Sequence, residues 1–118
     1  MLSKRAGRIV NISSIIASTG FHGLSAYAAS KPGLEGFERS LSRELGKRGI
    51  TGNCVAPRYM ETKMTGEMDV HKMESIRRIA PLGLPDPADA ACAVAYLLEP
   101  EAGRITGTIV TVDGGSTA

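Results

Sequence analysis

Residues 7–31 read GRIVNISSIIASTGFHGLSAYAASK, and three patterns follow one another within them. Ile9, Val10 and Ile12 make a short β-branched run, the composition of a strand buried in a parallel sheet. The strand is expected over Gly7 to Ser14. Ser18, Thr19, Gly20 and Gly23 then mark residues 17–25 as a loop. In open α/β sheets, ligands bind beyond the carboxyl ends of the strands, where this loop lies. A helix is expected from Tyr27 to Lys47, because Leu34, Phe37, Leu41 and Leu45 recur at helical spacing and form one apolar stripe. Pro32 fits such a helix only in its first turn.

Within that unit Tyr27 and Lys31 stand four residues apart, so they share a helix face. A free phenol titrates near ~10, too high for ready proton exchange at neutral pH. A neighbouring ammonium favours the phenolate and moves the group toward the range a general acid needs. Ser14, at the strand end, can offer a hydroxyl to a carbonyl oxygen. Taken alone, Tyr-x-x-x-Lys is better explained as an ordinary helix face than as a catalytic dyad, since so short a motif arises by chance. Its weight comes from the motifs around it.

Moving outward, Gly49 is the expected helix stop, and ITGNCVA, residues 50–56, reads as a second strand closed by Pro57. Gly52 weakens that strand, since glycine packs nothing there. Residues 58–67 read as a polar loop and Met68 to Ile79 as a short helix with Met73, Ile76 and Ile79 inward. PLGLPDP, residues 81–87, is turn-rich, with Asp86 as N-cap and Pro87 at the first helical position. Residues 88–98 are almost all apolar, so that helix is expected to be well buried. A turn over Gly103 to Gly107 leads into a third strand, Thr108 to Val112, ending in Asp113-Gly114-Gly115. The order is β-α-β-α-β, an α/β arrangement with helical crossovers suited to parallel pairing.

A chain of 118 residues is one domain at most. Its 42% hydrophobic and 22% charged residues are ordinary for a globular protein, and a net charge of +2 argues for neither nucleic acid nor membrane. No apolar run reaches the length of a spanning helix, and MLSKRAGR lacks the apolar core of a secretory signal. Cys54 and Cys92 have no metal-ligand spacing and are expected to be two buried, reduced thiols. His22 and His71 read as loop or surface residues, so no metal site is expected. A cytoplasmic location fits all of this.

With these pieces in place the sequence resembles the short-chain dehydrogenase/reductase superfamily, over essentially the whole chain but only the family's C-terminal half. The marks are N11-I-S-S14, Y27-A-A-S-K31, N53-C-V-A-P57 with Thr62, and the terminal I105-T-G-T-I-V-T-V-D-G-G115. Within the superfamily it is most similar to the 3-oxoacyl-(acyl-carrier-protein) reductases of fatty acid biosynthesis, through GRIVNISS, GKRGIT, the APxxxETxM pattern and PLG. The resemblance implies a doubly wound, Rossmann-like sheet of which residues 1–118 are a single partial domain. It implies an oxidoreductase that reduces a carbonyl to an alcohol with NADP or NAD, NADP being favoured. Ser14 then matches the serine that holds the substrate carbonyl, Tyr27 the proton donor, and Lys31 the lysine that binds nicotinamide ribose and tunes the tyrosine. Tyr27, Lys31, Pro57, Met60 and Thr62 fall where the family holds the nicotinamide end of its cofactor. Met64 to Ile79 match the substrate-side lid, and Arg5 and Arg48 match positions that dock an acidic carrier protein. The implied partners are a small-molecule or carrier-bound carbonyl substrate and further copies of the full-length chain.

Three positions depart from the family pattern: Arg58 where Gly is usual, Gly52 where a β-branched residue is usual, and Pro32 after the lysine. No stretch fits G-x-G-x-x-G or the family's wider-spaced glycine turn, so the adenine end of the cofactor has no expected site here. Two further functional classes stand beside the reductase: a noncatalytic truncated piece or pseudoenzyme that binds partners, and a small carrier-binding module working through Arg5 and Arg48.

Overall fold

Three strands, all parallel, lie side by side in the order β1-β2-β3 in a computed structural model that describes residues 1–58 and 80–118. Strand β1 spans Gly7–Ile12, β2 spans Ile50–Pro57 and β3 spans Ile109–Val112. A one-turn helix α1, Ile16–Thr19, and a long helix α2, Ser25–Leu45, connect β1 to β2. Helix α3, Pro87–Leu98, precedes β3. The α/β class and the parallel sheet expected from the sequence are therefore present. The expected helix over Met68 to Ile79 lies outside the described residues.

The register runs from Gly7 opposite Ile50 to Ile12 opposite Val55, then from Cys54 opposite Ile109 to Pro57 opposite Val112. Strand β2 is the middle one and is buried along its whole length. Because side chains alternate across a strand, Val55 and Cys54 face opposite sides. Val55 meets Ala90 and Leu97 of α3, with Val10, Val94, Ile105, Val110 and Val112 packed around them. That is the apolar layer of the molecule. Asn53, on the same side, donates to Ile105 O at 2.9 Å and accepts from Thr108 N–H at 3.1 Å, which pins the turn before β3.

The other side is built differently from the expectation. The face of α2 laid on the sheet is polar: Glu38 and Ser42 are its buried residues, while Phe37 is 56% exposed. The predicted stripe of Leu34, Phe37, Leu41 and Leu45 is real in sequence but turns only half inward. Glu38 fits because Gly52 sits beneath it on β2, where a Cβ would overlap the Glu38 carboxylate. The glycine read as a weak point of the strand is thus the space for this side chain.

Other boundaries moved for local reasons. The expected loop over 17–25 begins with α1, whose Ile15 carbonyl collects the Thr19 N–H and the hydroxyls of Ser18 and Thr19. Helix α2 starts at Ser25, which places Pro32 in its interior and deprives the Ala28 carbonyl of its usual partner. Gly49 ends the segment in the left-handed region, φ 70°, with the Arg5 carbonyl too close for any side chain. Asp86 and Pro87 open α3 as expected, the Asp86 N–H donating to Asp89 Oδ2 at 2.8 Å. Helix α3 is less buried than its composition suggested, since Tyr96 and Leu98 face outward. Cys54 is buried as expected, but Cys92 is exposed on the outer side of α3.

Replacing Gly52 by Ala should destabilise the fold by about 1–3 kcal/mol through overpacking against Glu38. In urea denaturation, a Gly52→Ala/Glu38→Ala double variant should recover part of that loss. Strict additivity would mean that the two side chains do not share this space.

Candidate active site

The carboxyl end of β1 and the first turns of α2 meet through Lys31. Its Nζ donates to Ile12 O at 3.0 Å and lies 5.2 Å from the centroid of the Tyr27 ring. One ammonium therefore touches the strand end that leads to Ser14 and also faces the phenol, as spacing within one helix turn demands. Tyr27 is 42% exposed, open to a ligand at this edge. Ser14 is 7% exposed and its Oγ accepts the Ile16 N–H at 3.2 Å. That leaves the Ser14 O–H as a donor. No direct hydrogen bond joins Ser14 to Tyr27 among the described residues. A cavity of about 220 Å³ reaches Ser14, Glu35, Thr111 and Thr117, but neither Tyr27 nor Lys31 lines it.

Pro57 closes β2 at the same edge of the sheet. The next residue, Arg58, is turned toward the C-terminal segment: its N–H donates to Val112 O at 2.8 Å and its Nη1 to Ser116 Oγ at 2.8 Å. Its buried Nε has no partner among the described residues. Asp113 gathers that segment, accepting from the N–H groups of Gly115 and Thr117 and the hydroxyls of Ser116 and Thr117. Met60 and Thr62, expected at the cofactor, and the expected lid lie outside the described residues. Arg5 and Arg48 both lie at the opposite end of the strands, where Arg5 Nη2 donates to Lys47 O at 3.1 Å. Strand rise alone separates that end from Ser14 by roughly 20 Å.

For the nicotinamide end of a dinucleotide the residues present are suitable. Lys31 spends one of its three donors on Ile12 O, and an ammonium with two further donors is of the kind that could hold sugar hydroxyls. No glycine-rich phosphate turn occurs on the described residues.

The family model described as Enoyl-(Acyl carrier protein) reductase matches residues 1–117. The 3-oxoacyl-(acyl-carrier-protein) reductase FabG of Vibrio harveyi is 43% identical over 116 residues, 98% of this chain and 48% of the relative. Its namesakes in Haemophilus influenzae and Rickettsia prowazekii are 45% and 46% identical over the same shares. The chain belongs to the short-chain dehydrogenase/reductase superfamily. It spans about half the length of the curated relatives it matches.

For this reductase-family chain, sequence reasoning missed two carboxylates beside the catalytic candidates. Ser13 Oγ donates to Glu35 Oε1 at 2.7 Å, and Asn11 Nδ2 donates to Glu38 Oε2. The available signal was spacing: Glu35, Glu38 and Ser42 continue the helical face that begins at Lys31.

Burial raises the Glu38 carboxyl above its ordinary 4.5, and the Asn11 hydrogen bond offsets only part of that. Burial first, then the charges of Glu38 and Glu35, pushes the Cys54 thiol up to about 11 against the opposing pull of Arg39. Asp113 goes the other way: burial opposes its ionisation, but hydrogen bonds from Thr117, Gly115 and Ser116 outweigh it and hold the carboxyl below its usual range.

The linkage signs differ accordingly. Between 4.5 and its raised value, Glu38 binds more proton folded than unfolded, so stability falls as pH rises through that window. Asp113 contributes above the ordinary carboxylate range, and that contribution is lost as pH falls through its depressed folded value. Urea midpoints measured across pH should show Glu38→Gln flattening the decline above pH 4.5. Asp113→Asn should remove part of the acid-side loss. An unchanged profile in both variants would contradict the assigned shifts.

Proposed function

We propose that this chain is the carbonyl-side half of an NAD(P)H-dependent reductase acting on 3-oxoacyl groups carried on an acyl-carrier protein, with NADP as the preferred cofactor. The observation that carries the reading is the Lys31 ammonium, which contacts Ile12 O beside Ser14 and faces the Tyr27 ring. The family membership and the 43–46% identity to FabG proteins support the substrate class.

In this reading the Ser14 O–H donates to the substrate carbonyl oxygen, its Oγ being held by the Ile16 N–H. Tyr27 gives its phenolic proton to the same oxygen as the carbonyl becomes an alcohol. Lys31 holds ribose hydroxyls with its two spare donors and keeps its ammonium over the phenol ring. Tyr27, Lys31 and Pro57, together with Met60 and Thr62, hold the nicotinamide end. When bound, the nicotinamide supplies the hydride. Arg5 and Arg48, at the far end of the strands, supply a basic edge for an acidic carrier. Residues 1–118 act as one partial domain that works with a dinucleotide-binding half of the kind found in the relatives. The outward Phe37 face of α2 suits association of copies in the complete enzyme. A cytoplasmic setting is consistent with this, and no helix among the described residues is long and apolar enough to cross a membrane.

The test is a chimera carrying the N-terminal half of the Vibrio harveyi reductase ahead of Met1. It should oxidise NADPH in the presence of a 3-oxoacyl thioester, and Tyr27→Phe should lower kcat by about 10²–10⁴-fold with cofactor binding retained. A folded chimera that binds NADPH but reduces no 3-oxoacyl thioester would sink the proposal.

A further inference from the structure

The sheet-facing side of α2 grips the carboxyl end of β1 at three successive residues. Glu38 receives Asn11, Lys31 reaches Ile12 O, and Glu35 receives Ser13. Only the last contact is adjacent to the hydroxyl that the reductase reading assigns to the carbonyl. Ser13 is buried, its N–H donates to Val55 O at 2.8 Å, and its Oγ is fixed by Glu35 at 2.7 Å. Backbone and side chain of Ser13 are thus tied to different elements, β2 and α2. Among the described residues Ser14 has no such double anchor, and its Oγ bond is local, from the Ile16 N–H. Glu35 also lines the same cavity as Ser14.

We infer that Glu35 is a positioning residue: by holding the Ser13 hydroxyl it fixes the turn from which Ser14 presents its own. The inference rests on the reductase reading only for what Ser14 is presented to. A carboxylate suits the task because it accepts a hydrogen bond without offering a competing donor. It stands one helical turn beyond Lys31. The strand end and the Tyr27–Lys31 pair are therefore referenced to one rigid helix, and a shift of either relative to the other requires breaking the Ser13–Glu35 bond.

The experiment is amide hydrogen exchange on the full 118-residue chain, followed by NMR, with activity of the chimera as a second readout. The Ile16 amide reports the Ser14 Oγ bond, and the Cys54 amide, bonded to Thr108 O, reports the sheet. Glu35→Leu should speed Ile16 exchange by about tenfold or more with Cys54 exchange unchanged. Glu35→Gln, which keeps an acceptor, should restore the slow rate. Ser13→Ala removes the donor instead and should reproduce the Leu variant, which guards against a folding failure of Glu35→Leu. In the chimera, Glu35→Leu should lower kcat at unchanged cofactor KM, with Glu35→Gln rescuing it. Unchanged Ile16 exchange in Glu35→Leu and Ser13→Ala, or a rise shared equally with Cys54, would overturn the positioning role. An inert parent chimera with the exchange pattern intact would overturn the reductase reading while leaving the positioning of Ser14 established.

Discussion

The contact between α2 and the sheet is polar where most helix–sheet contacts are greasy, and the candidate site depends on it. A buried carboxylate is costly unless it finds partners. Glu38 finds one in Asn11 and is accommodated by the absence of a side chain at Gly52. With that seat taken, the helix is set in rotation about its own axis. Lys31 is then delivered to Ile12 O, Glu35 to Ser13, and Tyr27 to the open edge. A helix seated instead on its leucines would be turned so that these groups pointed elsewhere. The apolar layer formed by Val55, Ala90 and Leu97 lies on the far side of the sheet and holds α3, so the two sides of the sheet divide cohesion from positioning.

The Lys31 contact also links fold to chemistry in the proposed enzyme. One ammonium has three donors. One ties the helix to the strand, and the others remain for a ligand. Losing this lysine would therefore loosen the scaffold as well as the site, and the two losses would be hard to separate by activity alone.

The sequence made the strands and their parallel order legible, because β-branched runs such as Ile9-Val10 and Ile109-Val110 carry a strong local signal. It also located Ser14, Tyr27 and Lys31 at one edge, since strand end and helix start are adjacent by topology. It did not reveal which face of α2 meets the sheet. Residues 34, 37, 41 and 45 and residues 31, 35, 38 and 42 are both helical stripes. Periodicity alone favours the apolar one, and only the partners on β1 and β2, far off in sequence, reverse that choice. The burial of α3 was overread for a related reason: an almost wholly apolar helix has no amphipathic contrast to show which part turns outward.

The close fit between position 52 and position 38 also restricts the order of steps by which this interface can be rewritten. Shortening the acid first opens a gap that a later methyl group can fill, and each intermediate has somewhere for its atoms to go. Adding the methyl first confronts a side chain that cannot retreat without abandoning Asn11. Of the two routes between a glycine–glutamate interface and an ordinary apolar one, only the route that shortens the acid first avoids a steric overlap at its first step, at the cost of a temporary cavity.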